Sequence, residues 1–310
     1  MRVLVTGAGG FLGSHICQHF GAAGHAIAAV GRFATDDRVA AAYPGLTLLA
    51  GMTLPDPAFV RAVKSFRPEL VVHCAAGANV ADSLEHPYRD FQGSVDGCAY
   101  VLHVLRESAP EAGFVLLSSA AIYGNPATQP IAEDARCAPN SPYGYHKWLC
   151  ELVVEEYRTL FGMRTAILRV FSAYGEGLRR QVVHDLCRRI AGSDPEVRVV
   201  GTGHESRDFV HARDVARAVD CASRALGAGP PIYNVASGSE TTVRELAALL
   251  AELLDCNKPI VFTDEQLPRS PSNGSADVSR MIAAGFRAEV PLREGLAGYC
   301  RWFRAQDAAR

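Results

Sequence analysis

Tyr143-Gly144-Tyr145-His146-Lys147 places a tyrosine and a lysine four residues apart. On a helix those two positions share a face, while Tyr145 points elsewhere. A phenol ordinarily ionises near pH ~10, and a neighbouring ammonium favours its phenolate. Such a tyrosine can trade a proton with a substrate alcohol or carbonyl while hydride moves to or from a nicotinamide. Upstream, Leu117-Ser118-Ser119 ends an apolar run. A serine hydroxyl at the carboxyl end of a buried parallel strand can hydrogen-bond the reacting oxygen. Ser119, Tyr143 and Lys147 are therefore the candidate catalytic residues, with Ser118 as the structural neighbour of Ser119.

A nicotinamide cofactor needs a place for its pyrophosphate. Gly7-Ala8-Gly9-Gly10-Phe11-Leu12-Gly13 follows the first strand-like run and opens the first helical one. Glycines let the backbone approach the phosphates, and the helix start supplies free N–H groups and a positive dipole end. The end of the second strand reads the adenosine ribose, where an acid binds the free 2′-hydroxyl and an arginine accommodates a 2′-phosphate. Here Val30 is followed by Gly31-Arg32, and Asp36 and Asp37 come several residues later. Arg32 favours NADP(H) over NAD(H), with NAD(H) as the alternative.

The elements that must position these residues alternate. Strand-like segments at Val3–Thr6, Ala26–Val30, Leu70–Cys74, Phe114–Ser118 and Thr165–Val170 are interleaved with helical ones at Phe11–Ala23, Val60–Phe66, Val95–Glu107 and Tyr143–Phe161. Such alternation predicts an α/β fold, a Rossmann-type parallel sheet with helices on both faces. The second half is less regular. It holds a helix at Thr242–Leu254 capped by Thr241 or Thr242, loops around Gly227–Pro231 and Pro268–Gly274, and a closing amphipathic helix at Pro291–Phe303. We expect a dinucleotide-binding domain from residues 1–168 and 206–235, and a smaller α/β substrate-binding domain from 169–205 and 236–310.

Of 310 residues, 48% are hydrophobic and 21% charged, and the formal net charge is −2. That balance gives no electrostatic footprint for nucleic acid or a membrane surface. No apolar run approaches the ~18 residues of a membrane span, and no signal-peptide pattern follows Met1. Nine scattered cysteines without a C-x-x-C read as reduced thiols, with no metal site. These features predict a cytoplasmic protein, in which the Asn273-Gly274-Ser275 sequon is a chance match.

Together the motifs resemble the extended short-chain dehydrogenase/reductase family of nucleotide-sugar epimerases, dehydratases and reductases. The likeness runs from Met1 to about Phe303. It is carried by the start through Gly24-His25, by His73-Cys74-Ala75-Ala76, by Arg207-Asp208-Phe209-Val210-His211 with Asp214-Val215, and by Asn234-Val235-Ala236-Ser237-Gly238. The resemblance implies that Ser119, Tyr143 and Lys147 form the family triad. It also implies that Gly7, Gly10, Phe11, Leu12, Gly13, Ala75 and Ala76 line the cofactor. Arg207 and Arg269 would bind the diphosphate of a nucleotide-sugar substrate, since the arginine fork matches phosphate geometry. Leu178-Arg179-Arg180-Gln181 reads either as a further cation or as a solvated helix start. The base pocket is expected around Gln181–Leu186 and Val197–Gly201.

Sugar 4,6-dehydratases carry an Asp-Glu pair directly after the triad hydroxyl residue, where this chain has Ala120-Ala121. Two alanines supply neither the acid nor the base that elimination needs. Of the remaining reactions, Gly31-Arg32 favours NADPH-dependent reduction of a nucleotide-linked 4-keto-sugar, with a 4-epimerase retaining its cofactor as the alternative. A sensor or scaffold that binds dinucleotide without turnover is a minor alternative, opposed by the intact tyrosine and lysine. A homodimer is expected, with Val95, Val101, Leu102 and Leu105 on one helix and Leu149, Leu152, Val153 and Tyr157 on another forming a four-helix bundle. The other reading is that these stripes pack on the sheet.

Overall fold

The structure, a computed structural model, describes residues 1–33, 46–77, 79–265 and 274–307. Asp36, Asp37, Arg269 and Asn273 lie outside the described residues.

Seven parallel strands form the main sheet. They are β1 (Arg2–Thr6), β2 (Ala26–Gly31), β3 (Thr47–Ala50), β4 (Leu70–His73), β5 (Gly113–Ser119), β6 (Thr165–Val170) and β10 (Ile232–Val235), in the spatial order β10-β6-β5-β4-β1-β2-β3. The order reverses direction beside β1, which leaves a crevice at the strands' carboxyl ends where open α/β sheets take their ligands. The central strands are buried on both faces, so they read as unbroken apolar runs and not as alternation.

Helices α1 (Phe11–Ala22) and α8 (Ala212–Arg224) cover one face, where Ile16, Phe20, Val215 and Val219 meet Val3, Val72 and Val115. On the other face lie α2 (Pro57–Phe66), α5 (Gly97–Ser108) and α6 (Pro142–Phe161). Two short helices, α3 (Val80–Glu85) and α4 (Pro87–Phe91), precede α5, and a π turn at Gln92–Asp96 joins α4 to it. The second core is built on two small sheets, from β7 (Ser172–Tyr174), β9 (Ser206–His211) and β11 (Glu240–Thr242), and from β8 (Val197–Val199) and β12 (Ile260–Phe262). It is filled by α7 (Gln181–Ala191), α9 (Val243–Leu253) and α11 (Leu292–Asp307), through residues such as Leu186, Leu246 and Leu296. The short helix α10 (Ser279–Ala283) returns to the main sheet, where Met281 is buried.

We propose the two-domain division on these two cores, with two adjustments. Segment 206–211 is β9 of a small sheet, so the return to the large domain begins at α8, and Met281 and Phe286 pack into the main-sheet core, so α10 goes with the large domain. The cap of α9 is Thr242, in a reciprocal capping box with Glu245.

The bundle residues need a correction. Val101, Leu102 and Leu105 are fully buried, and Val95 nearly so, all in the core between α5 and the sheet. A helix on a parallel sheet spends its apolar stripe there, at about 1.5–3 kcal/mol per large side chain. Val153 and Tyr157 pack half-buried on the same core. Of the named residues, only Leu149 and Leu152, 36% and 51% exposed on α6, remain for a partner. Leu160 and Phe161 extend that exposed line.

Candidate active site

The loop after β1 is a cradle that tolerates no side chains. Gly7 has φ +67°, and a Cβ there would lie 2.7 Å from the Ala75 nitrogen. A Cβ on Gly13 would lie 2.2 Å from the Gly7 carbonyl oxygen, and one on Gly9 2.4 Å from that of Arg32. The turn closes through Gly10 N–H donating to Gly7 O at 2.9 Å. Gly10 caps α1 without a side-chain acceptor, so the first-turn N–H groups of Phe11, Leu12 and Gly13 have no capping side chain. Such a backbone-lined helix start fits the pyrophosphate of a dinucleotide.

The loop after β4 lies against this cradle. Cys74 N–H donates to Thr6 O at 3.1 Å and Ala75 N–H to Thr6 Oγ1 at 3.4 Å, which fixes Ala75 and Ala76 beside Gly7. His73 Nδ1 meets the same Thr6 Oγ1 at 2.8 Å. Burial, reinforced by the nearby Lys147 ammonium, pushes the His73 imidazole down to about 3, so it is a neutral structural group. Arg32 is exposed at the end of β2, while Gly31 is buried and a Cβ on it would lie 3.5 Å from the Ala8 nitrogen.

The tyrosine and lysine stand on the first two turns of α6. Ser141 caps that helix through Gly144 N–H, and Pro142 occupies its first turn. Lys147 is buried, donates from Nζ to Leu117 O at 2.9 Å, and lies 6.0 Å from the Tyr143 ring centroid. Tyr143 is half-buried, and its N–H donates to Ser83 Oγ at 3.1 Å. Ser119 is half-buried at the end of β5 and accepts Ala121 N–H at 3.2 Å, so its own O–H is left to donate. Gly144 makes the close approach of α6 to residues 120–123 possible, since a Cβ there would sit 2.7 Å from Ala121 O. Sequence reasoning passed over Gly144 and Ser83. A glycine inside a helix start, costly by about 1 kcal/mol, was the available signal for the first. The partner of Ser83 is 60 residues away, so no local pattern marks it.

Ser118 turns away from the site, into the protein, and donates to Glu151. Arg207 on β9 is half-buried, and desolvation lowers its pKa. Next to it, the Asp208 carboxylate accepts from Ser237 N–H and Oγ–H, Gly238 N–H and Ala276 N–H at 2.7–3.2 Å, tying the 237–238 turn to β9. Arg179 bonds Gln306 at 2.9 Å and lies over Trp302, so it is engaged with α11. Arg269 lies outside the described residues. Among them there is no group of three or more histidine, cysteine or carboxylate side chains placed to hold a metal, and no helix long and apolar enough to cross a membrane.

Comparison with known proteins agrees with this geometry. The profile of the NAD dependent epimerase/dehydratase family matches residues 3–236. The chain belongs to that family, of the extended short-chain dehydrogenase/reductase type. It is 28% identical to the putative UDP-glucose 4-epimerase of Methanocaldococcus jannaschii, over 97% of this chain and 98% of that one. It is 30% identical to the dTDP-4-dehydro-6-deoxy-D-allose reductase of Streptomyces bikiniensis, over 97% and 96%. The crystal structure of the Thermus thermophilus UDP-glucose 4-epimerase complex with NAD superposes with a TM-score of 0.86 at 30% identity, covering 98% and 99% of the two chains.

Proposed function

We propose that this chain is a nucleotide-sugar 4-epimerase that keeps NAD bound through turnover, acting on a UDP-hexose. The observation that carries the reading is the Ser119, Tyr143 and Lys147 group at the glycine cradle, in a chain whose full-length relatives include UDP-glucose 4-epimerases. This moves the emphasis from the reductase expected on Gly31-Arg32 to the epimerase held as its alternative. The NADP(H) preference has no support from the relatives, whose family is NAD dependent. An exposed arginine alone does not require a 2′-phosphate.

Held at the Gly7–Gly13 cradle, a nicotinamide would supply reversible hydride transfer at C4 of the sugar. The chain's residues do the rest. Tyr143 accepts the proton of the C4 hydroxyl and gives it back. Lys147, fixed by Leu117 O, sets its amino group near the phenol ring. Ser119 orients the C4 oxygen with its free O–H. Arg207 holds the diphosphate, together with Arg269. Epimerisation needs the keto-sugar to present its other face, and it needs no further acid or base, which suits Ala120-Ala121.

The reductase reading is kept for one observation, the 30% identity to a 4-keto-sugar reductase. The two separate cleanly by experiment. An epimerase purifies with NAD that survives gel filtration and converts UDP-glucose to UDP-galactose with no added cofactor. Consumption of added NADPH by a 4-keto-sugar, with an empty cofactor site on purification, would establish the reductase.

We also propose a homodimer through α6. Leu152→Arg is expected to turn a dimer of about twice the chain mass into a monomer, as read by light scattering at micromolar concentration. A wild-type monomer would remove the proposal.

A further inference from the structure

Behind the triad runs a row of polar residues across three adjacent strands. Ser118 on β5 is the register partner of Arg169 on β6, and Arg169 is the partner of Asn234 on β10. All three are buried, and Asn234 is fully so. Glu151 of α6 descends onto this row. Its Oε1 accepts from Ser118 Oγ and from Arg169 Nε at 3.2 Å, and its Oε2 accepts from Arg169 Nε at 3.1 Å and Nη2 at 2.8 Å. Arg169 spends its other N–H groups on Tyr123 Oη at 2.9 Å, Glu133 O at 2.7 Å and Cys137 Sγ at 3.8 Å. Tyr123 Oη in turn donates to Asn234 Oδ1 at 2.7 Å.

A buried ion pair is weak evidence of stability, because desolvation offsets the attraction. Its use here follows from where it sits. Tyr143, Lys147 and Glu151 fall at i, i+4 and i+8, on one face of α6. Consecutive residues of β5 receive that face, Leu117 O taking Lys147 and Ser118 taking Glu151, immediately before Ser119 reaches the site. Two bonds one helical turn apart fix both the rotation and the axial slide of α6 on β5.

We propose that Glu151, clamped by Arg169 and bonded to Ser118, is a positioning residue that sets Tyr143 and Lys147 against Ser119. It touches neither substrate nor cofactor. The inference uses the epimerase reading only to choose an assay substrate. Glu151→Ala would strand a buried Arg169 charge and unfold the chain, so it does not discriminate. Ser118→Ala breaks only the tether to β5 and leaves the ion pair whole. Ser118→Thr keeps the hydroxyl on a residue suited to a strand.

In the protein carrying its bound cofactor, Ser118→Ala is expected to lower kcat about 10- to 100-fold, the cost of a small misplacement. KM for UDP-glucose and cofactor content should stay within about twofold, and Ser118→Thr should recover most of the rate. Hydrogen exchange at the Tyr143–Lys147 amides should speed up in Ser118→Ala and recover in Ser118→Thr. Unchanged kcat with a lowered melting point, or no recovery by threonine, would overturn the proposal. If the wild type converts no nucleotide sugar, the epimerase reading alone fails. The exchange measurement still decides the positioning role, since unaltered exchange in Ser118→Ala would refute it.

Discussion

Tyr143→Phe should fold, bind its cofactor like the wild type, and lose about 10²- to 10⁴-fold in kcat, the usual worth of a positioned acid–base group. The backbone of Tyr143 is held independently of its hydroxyl, by its N–H to Ser83 Oγ and by Ser141 at the helix cap. The ring is only half-buried, so removing one oxygen leaves no stranded partner in a dry core. Substrate binding should change little, because the proposed diphosphate contact is assigned to Arg207 and not to the phenol. The measurement is steady-state kcat and KM beside the melting temperature. A loss of less than about tenfold would remove Tyr143 from the acid–base role.

Gly13→Ala should cost the cofactor. The added Cβ would need the place of the Gly7 carbonyl, 2.2 Å away, and of Ala8 Cα, 2.8 Å away. These are rigid backbone atoms of the turn that must face the pyrophosphate, so the loop has to open or α1 has to shift. The purified variant is expected to carry less than about a tenth of the wild-type cofactor, which corresponds to roughly 1.4 kcal/mol or more of lost binding. Gly93→Ala is the control, since Gly93 is exposed, is not in the left-handed region, and a Cβ there meets nothing within 4 Å. Full cofactor content in Gly13→Ala would show that the pyrophosphate is not bound by this turn.

What was legible in the sequence follows the range of the interactions. The Gly7–Gly13 cradle, the Tyr143/Lys147 face and five of the seven main strands are local patterns, and each lies within a residue or a few of its expected place. β3 at Thr47–Ala50 was missed because it is a four-residue, largely exposed edge strand, too short to show a period. β7, β8 and β12 were missed because three-residue strands carry no periodicity. The stripe on α5 was legible as apolar, but whether it faced the sheet or a second chain depends on packing. Ser118 was read as the structural neighbour of Ser119, but its bond to Glu151 spans 33 residues and could not be read from spacing. The weight given to Gly31-Arg32 shows the opposite failure, a local motif taken as a cofactor choice although nothing local says whether Arg32 meets a phosphate.

An epimerase that never releases its cofactor is tested most directly by mixing the purified protein with UDP-glucose alone. UDP-galactose is expected at equilibrium, with bound NAD in the denatured extract and no dependence of rate on added NAD or NADPH. A protein that is inert under those conditions but oxidises NADPH stoichiometrically with a nucleotide-linked 4-keto-sugar would contradict it.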